Sequence, residues 1–300
     1  MRKSIVLFAS VALLAVSLAA GAAEQCRYSA PRNAELDAAG LKRLSVEIGP
    51  DDLMIRGESG ITKITVRGTA CASSQEWLKD VKLETSRHGD TASIVARNGD
   101  HHVMVSLFGG SYAYLKLDVR VPQSMAVQLK EGSGDSDVAG VQSLEASVGS
   151  GDLKVNSVAG ELGLSVGSGD VVASNVGSVN LSSVGSGDVK VDGVRGDAHA
   201  GSIGSGDLGL RDITGGVTVG SIASGDANLA GVGGSVEAKA VGSGDFTARN
   251  VKGNVSVGAV ASGDVTADQV DRDFSVGSVG SGDIHHHGVK GKVSIPRTDD

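Results

Sequence analysis

The tripeptide Ser-Gly-Asp recurs nine times along this chain, and its regularity limits the fold more than any other feature. Its aspartates are Asp135, Asp152, Asp170, Asp188, Asp207, Asp226, Asp245, Asp264 and Asp283. The steps between them are 17, 18 and 18, then 19 five times running. A fixed period of that size marks a solenoid in which each repeat is one coil stacked on the next.

With each aspartate taken as position 1, the apolar residues fall into columns. Position 2 reads Val189, Leu208, Ala227, Phe246, Val265, Ile284, and position 7 reads Val194, Ile213, Val232, Val251, Val270, Val289. Positions 11, 13 and 16 are likewise aliphatic in nearly every repeat. Alternation around positions 2–4 and 11–13 predicts two main strands per coil, with position 16 starting a short third side. Glycine at position 9, and Gly/Ala-Ser-Gly at positions 17–19, are read as turns that exploit positive φ. Successive coils would pair in parallel about 4.8 Å apart, giving a rod roughly 40 Å long over nine rungs. Right-handed winding is the default for parallel crossovers.

The composition suits a narrow interior. Forty-five glycines accompany 3% aromatic residues, so Ala, Val, Ile and Leu must fill the coils. Glycine without a strict three-residue period excludes collagen. Valines at strand spacing argue against disorder.

The start of the chain reads as an export signal. Arg2 and Lys3 precede an apolar run from Ile5 to Ala20, and Ala20-Gly21-Ala22 offers small residues for cleavage. The mature chain would begin at about Ala23. Cys26 follows Ala23-Glu24-Gln25, which lacks the small residue that a lipoprotein cysteine needs before it, so no lipid anchor is expected. No later stretch is apolar enough to span a membrane. The two cysteines, Cys26 and Cys71, are expected to form a disulfide in an exported chain, with two free thiols as the alternative. No Cys-x-x-Cys pair suggests zinc. Removing Arg2 and Lys3 takes the net charge from -8 to -10, and an acidic surface without a basic stripe argues against nucleic acid and anionic lipid.

Ahead of the repeats, residues 24–40 read as an irregular leader. Alternating residues then predict strands through Leu44–Ile48, Leu53–Ile55, Ile61–Val66, Val81–Leu83, Ile94–Ala96, Val103–Leu107 and Leu115–Val121. Ser73 and Glu76 have capping-box spacing, which predicts a short helix carrying Trp77 as a plug over the core. Asn98-Gly99 reads as a hairpin turn. The 73–78 helix would cover one solenoid end, and Pro296-Arg297-Thr298-Asp299-Asp300 would stop the other edge.

The Leu-x-Leu-x-Val-x-Val-Pro strand from Leu115 to Pro122, followed by repeated Gly-Ser-Gly-Asp, resembles a family of bacterial exported domains regarded as adhesin candidates, of the head-GIN and related unknown-function type. The resemblance runs from about residue 41 to the end. It implies a parallel β-solenoid at the cell envelope, and it supplies no catalytic residues.

The expected fold is therefore all-β: a single-stranded parallel β-solenoid (β-helix) of about 19 residues per coil behind a strand-rich N-terminal cap. Residues 1–22 form the signal peptide, 23–130 the cap region continuous with the solenoid, and 131–300 the repeat solenoid.

The aspartate ladder is the sharpest candidate site. Carboxylates about 4.8 Å apart repel by on the order of 3 kcal/mol at an effective dielectric of 20, and by near 1 in water, so something must offset the charge. Either each aspartate caps its own Ser-Gly turn, or calcium lies between rungs at Asp152, Asp170, Asp188, Asp207, Asp226, Asp245, Asp264 and Asp283. One aspartate per coil is sparse for an ion that takes six to eight oxygens. His285-His286-His287 and His101-His102 are weaker metal candidates. His285 and His287 would share one strand face with no third ligand evident. No unrepeated catalytic constellation stands out from the rungs. Position 12 reads His199, Thr218, Glu237, Ser256, Ser275, Ser294, too irregular for an ice-binding face.

The function expected is a non-enzymatic structural or adhesin-like interaction module, periplasmic, secreted or on the cell surface. It would act as a monomer, with its flat acidic side facing an unidentified envelope or surface component. The alternatives are a calcium-responsive binding protein and a carbohydrate-active enzyme.

Overall fold

The structure is a computed structural model that describes residues 26–99 and 111–296. The segments expected to be an export signal and a Val103–Leu107 strand, together with His101-His102 and Arg297–Asp300, lie outside the described residues.

The repeats form a parallel β-solenoid of about nine turns and about 19 residues per turn. The first two full coils run as single 14-residue strands, Leu153–Val166 and Val171–Val184, and later ones hold two six-residue strands, such as Val189–Val194 and Ala198–Ile203. Val189, Val191, Val194, Ala198, Ala200 and Ile203 are buried, which places positions 2, 4, 7, 11, 13 and 16 inward. Positions 7 and 16 therefore belong to the main strands, and no third side begins at position 16. Inter-coil pairing skips one residue per strand: Asp192 pairs with Arg211 and Val194 with Ile213, and on the other side Ala200 pairs with Val219 and Ser202 with Ser221. The skipped residue bends each strand, so inward positions step by three instead of two and six slots open per coil.

The first bend explains where the chain needs a left-handed residue. Position 6 has positive φ in coil after coil: Gly140, Ser157, Asn175, Gly193, Asp212, Gly231, Asn250, Gln269 and Gly288. Glycine, Asn and Asp tolerate this region best, and they supply seven of these nine residues. The glycines at positions 9, 17 and 19 do not take positive φ. At position 19, where no other residue stands, glycine is required by close approach. A Cβ on Gly206 would fall on the Gly187 carbonyl oxygen, and one on Gly225 would fall on that of Gly206. Backbone stacks on backbone at this corner, and any side chain pointing along the rod would collide with the coil below.

The core is one continuous column of small aliphatic side chains. Phe246 and Phe274 are its largest members, both fully buried. Phe246 follows Ala227 in its row and shares its coil with Ala248, so neighbouring small residues make the room.

The amino-terminal part does not stack in chain order. Strands β1 (Tyr28–Pro31) and β2 (Ala34–Asp37) come first, where an irregular leader was expected; both pair antiparallel with β5 (Lys63–Ala72). They are short, and Pro31 interrupts their alternation, which hides them in the sequence. Strands β3 (Arg43–Ile48) and β4 (Asp52–Glu58) make a coil. After β5 come helix α1 (Gln75–Asp80), β6 (Lys82–His88), β7 (Thr91–Arg97), β8 (Ala113–Pro122), β9 (Ala126–Glu131) and β10 (Ser136–Ala139). β3 pairs in parallel with both β7 and β9, and β4 with both β8 and β10. The β3–β4 coil is thus inserted between two coils that follow it in sequence. Arg56 and Asp137 clamp that insertion through paired hydrogen bonds of 2.8 and 3.0 Å, and the guanidinium holds the Asp137 carboxyl below its usual range.

Antiparallel strands finish this end: β5 pairs along β8 and β6 along β7. That closes the parallel stack and hides its edge. The disulfide between Cys26 and Cys71 is formed, with Cα atoms 5.2 Å apart, and ties the start of the described chain to β5. Helix α1 packs on β1 and β5. Its N-cap is Ser74, whose hydroxyl accepts from the Trp77 N–H, and not Ser73. Ser73 is still paired in the sheet and accepts instead from the Tyr112 N–H. The Arg32 guanidinium donates to the Leu78 and Val81 carbonyls at the other helix end. Trp77 is half-buried, and Leu78 is the helix residue packed against the core.

Candidate interaction surfaces

The aspartates do line up, one per coil, but each caps the next coil and not its own turn. The Asp188 N–H donates to Asp170 Oδ1 at 2.9 Å, Asp226 to Asp207 at 2.9 Å, Asp245 to Asp226 at 2.9 Å and Asp264 to Asp245 at 3.1 Å. The same bond runs from Asp152 to Asp135, Asp170 to Asp152, Asp207 to Asp188 and Asp283 to Asp264. The reason lies in the ladder. Carbonyls at position 1 accept from position 2 of the coil before, as in Val189 to Asp207, but the position-1 N–H has no backbone acceptor. The carboxylate below supplies one.

The row also has a member that the period misses. Asp52 opens β4 level with Asp135, which stands just before β10, and the Asp135 N–H faces its carboxylate. Burial raises the Asp52 carboxyl, and the Asp135 charge adds to this. The signal in the sequence was Gly49-Pro50-Asp51-Asp52, a degenerate copy of the repeat corner set far upstream of the first Ser-Gly-Asp. Its neighbour Asp51 turns inward and is fully buried, accepting from Gly49 N–H, Asn98 Nδ2 and Leu115 N–H.

A second, shorter row caps the other strand. At position 10, Asp197 accepts the Gly216 N–H at 2.8 Å, Ser235 that of Asn254, Asn254 that of Asp273, and Asp273 that of Lys292. Its residue type changes from coil to coil, which conceals it in the sequence.

The two outer faces differ in chemistry. First strands present Lys154, Lys190, Asp192, Arg211, Arg249 and Asp268, a mixed charged face. Second strands present mainly serine, glycine and alanine: Ser202, Ser221, Ala240, Ala259 and Ser278 fill position 15. Hydroxyls follow one another along the rod, with Ser165 and Ser183 Oγ atoms 3.4 Å apart and Ser275 donating to Ser256 at 3.4 Å. Toward the cap this face sinks into a trough of about 860 Å³ lined by β3, β9 and the coils after them. Ser45, Gln128, Ser143, Ser147, Glu161, Asn180 and Ser182 are among its walls. Gln128 donates to Glu145 there at 3.0 Å. A smaller hollow of about 530 Å³ lies on the charged face, where β4, β8 and β10 meet β5; Met54, Lys116, Asp118, Asp135 and Lys154 line it.

The terminal histidines separate in role. His287 Nδ1 lies 3.0 Å from Asp268 Oδ1, the His286 ring stands 6.1 Å from that of Phe274, and His285 joins Asp264 and Asp283. No described helix is long and apolar enough to cross a membrane.

This is a parallel β-solenoid with a backbone-capping aspartate row and two outer faces of different chemistry. The chain belongs to the Toastrack DUF4097 family, which matches residues 41–295. No match was found among curated proteins. It is similar to the crystal structure of a candidate adhesin from Bacteroides fragilis, at 12% identity and TM-score 0.38, covering 89% of this chain and 97% of that one. It is also similar to that of a candidate cell adhesion protein from Clostridium sporogenes, at 12% identity and TM-score 0.28, covering 90% and 100%. A candidate lipid-binding protein from Parabacteroides distasonis aligns at 12% identity and TM-score 0.34, covering 89% and 97%.

Proposed function

We propose that the chain is an exported, non-enzymatic interaction module of the bacterial cell envelope, and that the hydroxyl-lined face with its trough is the contact surface. The observation that carries this is the regularity of that face. Second strands stay in register from coil to coil, and small residues recur at positions 14 and 15, Lys239 apart. A repeating surface of small polar groups meets an extended partner with little side-chain ordering cost. The acidic side named by the sequence is a narrower corner, and its carboxylates are engaged with backbone N–H groups. That engagement also supports capping between coils over calcium along the row.

The test is co-sedimentation of the purified mature chain with isolated envelope fragments. Replacing Ser202 and Ser221 with lysine should cut binding at least about tenfold, the scale of a lost interface centre. Lys190→Ser on the opposite face should leave it unchanged. Equal binding by all three, or no binding by any, would overturn the proposal.

A further inference from the structure

We infer that the last coil carries a site for one first-row transition-metal dication, held by Asp264, Asp283 and His285. One ligand atom from each lies within 4.8 Å of the others. Asp264 and Asp283 are successive members of the aspartate row, and His285 stands two residues along the strand from Asp283, on the same outward face. At the equivalent position 3 the earlier coils carry Asp137, which Arg56 holds, and then Lys154, Val172, Lys190, Gly209, Asn228, Thr247 and Thr266. Only the last coil sets an imidazole beside the row.

Asp283 also differs from the rest of the row. From Asp135 to Asp264, every carboxylate accepts the N–H of the next aspartate. Asp283 is the last, and among the described residues no N–H and no cation reaches its side chain. Asp264 gives Oδ1 to the Asp283 N–H at 2.9 Å, and its second carboxylate oxygen is left to meet an ion. Two carboxylates one coil apart repel, and here no backbone bond relieves the outer one. A dication between them does so directly.

The donor set selects the ion. One imidazole nitrogen and two carboxylate oxygens suit zinc, nickel or copper. Calcium and magnesium take oxygen ligands and gain nothing from His285. Three protein ligands leave a position for water, so the ion would exchange. The adjoining His287 is not the missing ligand, because Asp268 already holds its ring.

The experiment is a zinc chloride titration of the tag-free mature chain by calorimetry, repeated with nickel and in excess calcium. One equivalent should bind, nickel should compete, and calcium should not displace it. His285→Ala and Asp283→Asn should each weaken zinc binding at least about tenfold, since even outer-sphere changes cost that much. His287→Ala and Asp226→Asn should stay within about twofold of the unchanged chain. All four positions are on the surface, and a circular dichroism spectrum checks that the variants fold. No saturable zinc binding would overturn the site. So would a loss with His287→Ala equal to that with His285→Ala, which would assign the ion to a bare imidazole pair, or full binding by Asp283→Asn.

Discussion

Glu131 occupies an inward slot that Ile48 fills in one neighbouring coil and Val148 in the other. It is 3% exposed, and apart from the neighbouring Ser136 hydroxyl no polar group among the described residues meets its carboxylate. Burial, with the charges of Asp135 and Asp152 behind it, pushes the Glu131 carboxyl up to about 7. The unfolded chain would titrate this group at about 4.5, so the folded state binds the proton more tightly. Its stabilising contribution is full below about pH 4.5 and is lost as pH rises through 7. Glu131→Gln should therefore raise stability at about pH 8 by on the order of 2 kcal/mol, allowing for residual solvent access, and change little at about pH 4. Urea unfolding of both proteins across that range measures it. A parallel shift at every pH would show that the side chain acts through packing alone.

Among the elements, the aspartate row joins coils in a way that the sheet ladder does not. Asp226→Ala leaves the Asp245 N–H without its acceptor and should cost about 1 kcal/mol, as for a lost helix cap. Asp226→Asn keeps an oxygen at the same place and should lose less than half as much. Thermal midpoints of the three proteins, in EDTA and in about millimolar calcium, separate the two roles. The order Asp, Asn, Ala should hold in both buffers, with no rise on adding calcium. A calcium-dependent gain confined to the unchanged protein would reverse the assignment. Across the last three coils, Lys290 and Lys252 lie 2.8 and 3.3 Å from Asp271 and hold its carboxyl below the usual range, so ion pairs supplement the ladder there.

At the scale of the whole molecule, the repeat coils touch mainly their neighbours, while the amino-terminal strands are tied across long separations. The Cys26–Cys71 bond constrains β1, β2 and β5 and touches no repeat coil. Replacing both cysteines by serine should cost about 4 kcal/mol on the chain-entropy account. The loss should stay local, because solenoid stability is close to a sum of nearest-neighbour terms. Hydrogen exchange should quicken in β1, β2 and β5 and keep its original rate in the Val217–Ile222 and Val236–Val241 strands. Uniform quickening along the rod would show that the cap sets the stability of every coil.

The sequence by itself determined the solenoid, the length of its turn, the inward columns and the aspartate row. The reason is that consecutive coils are consecutive in the chain, so stacking in space appears as a period. It also marked both cysteines and the helix, missing the cap by one residue because Ser73 is held by Tyr112. Tertiary structure alone decided the rest. Parallel pairing is indifferent to separation along the chain, so no spacing announces that β3–β4 slips between β7–β8 and β9–β10, or that Asp52 heads the row. Glycine looks the same in a sequence whether it serves positive φ or close approach, and only the stacked corner shows the latter at Gly206. The meeting of His285 with Asp264 and Asp283 likewise depends on two coils lying one above the other, which a full turn of intervening chain conceals.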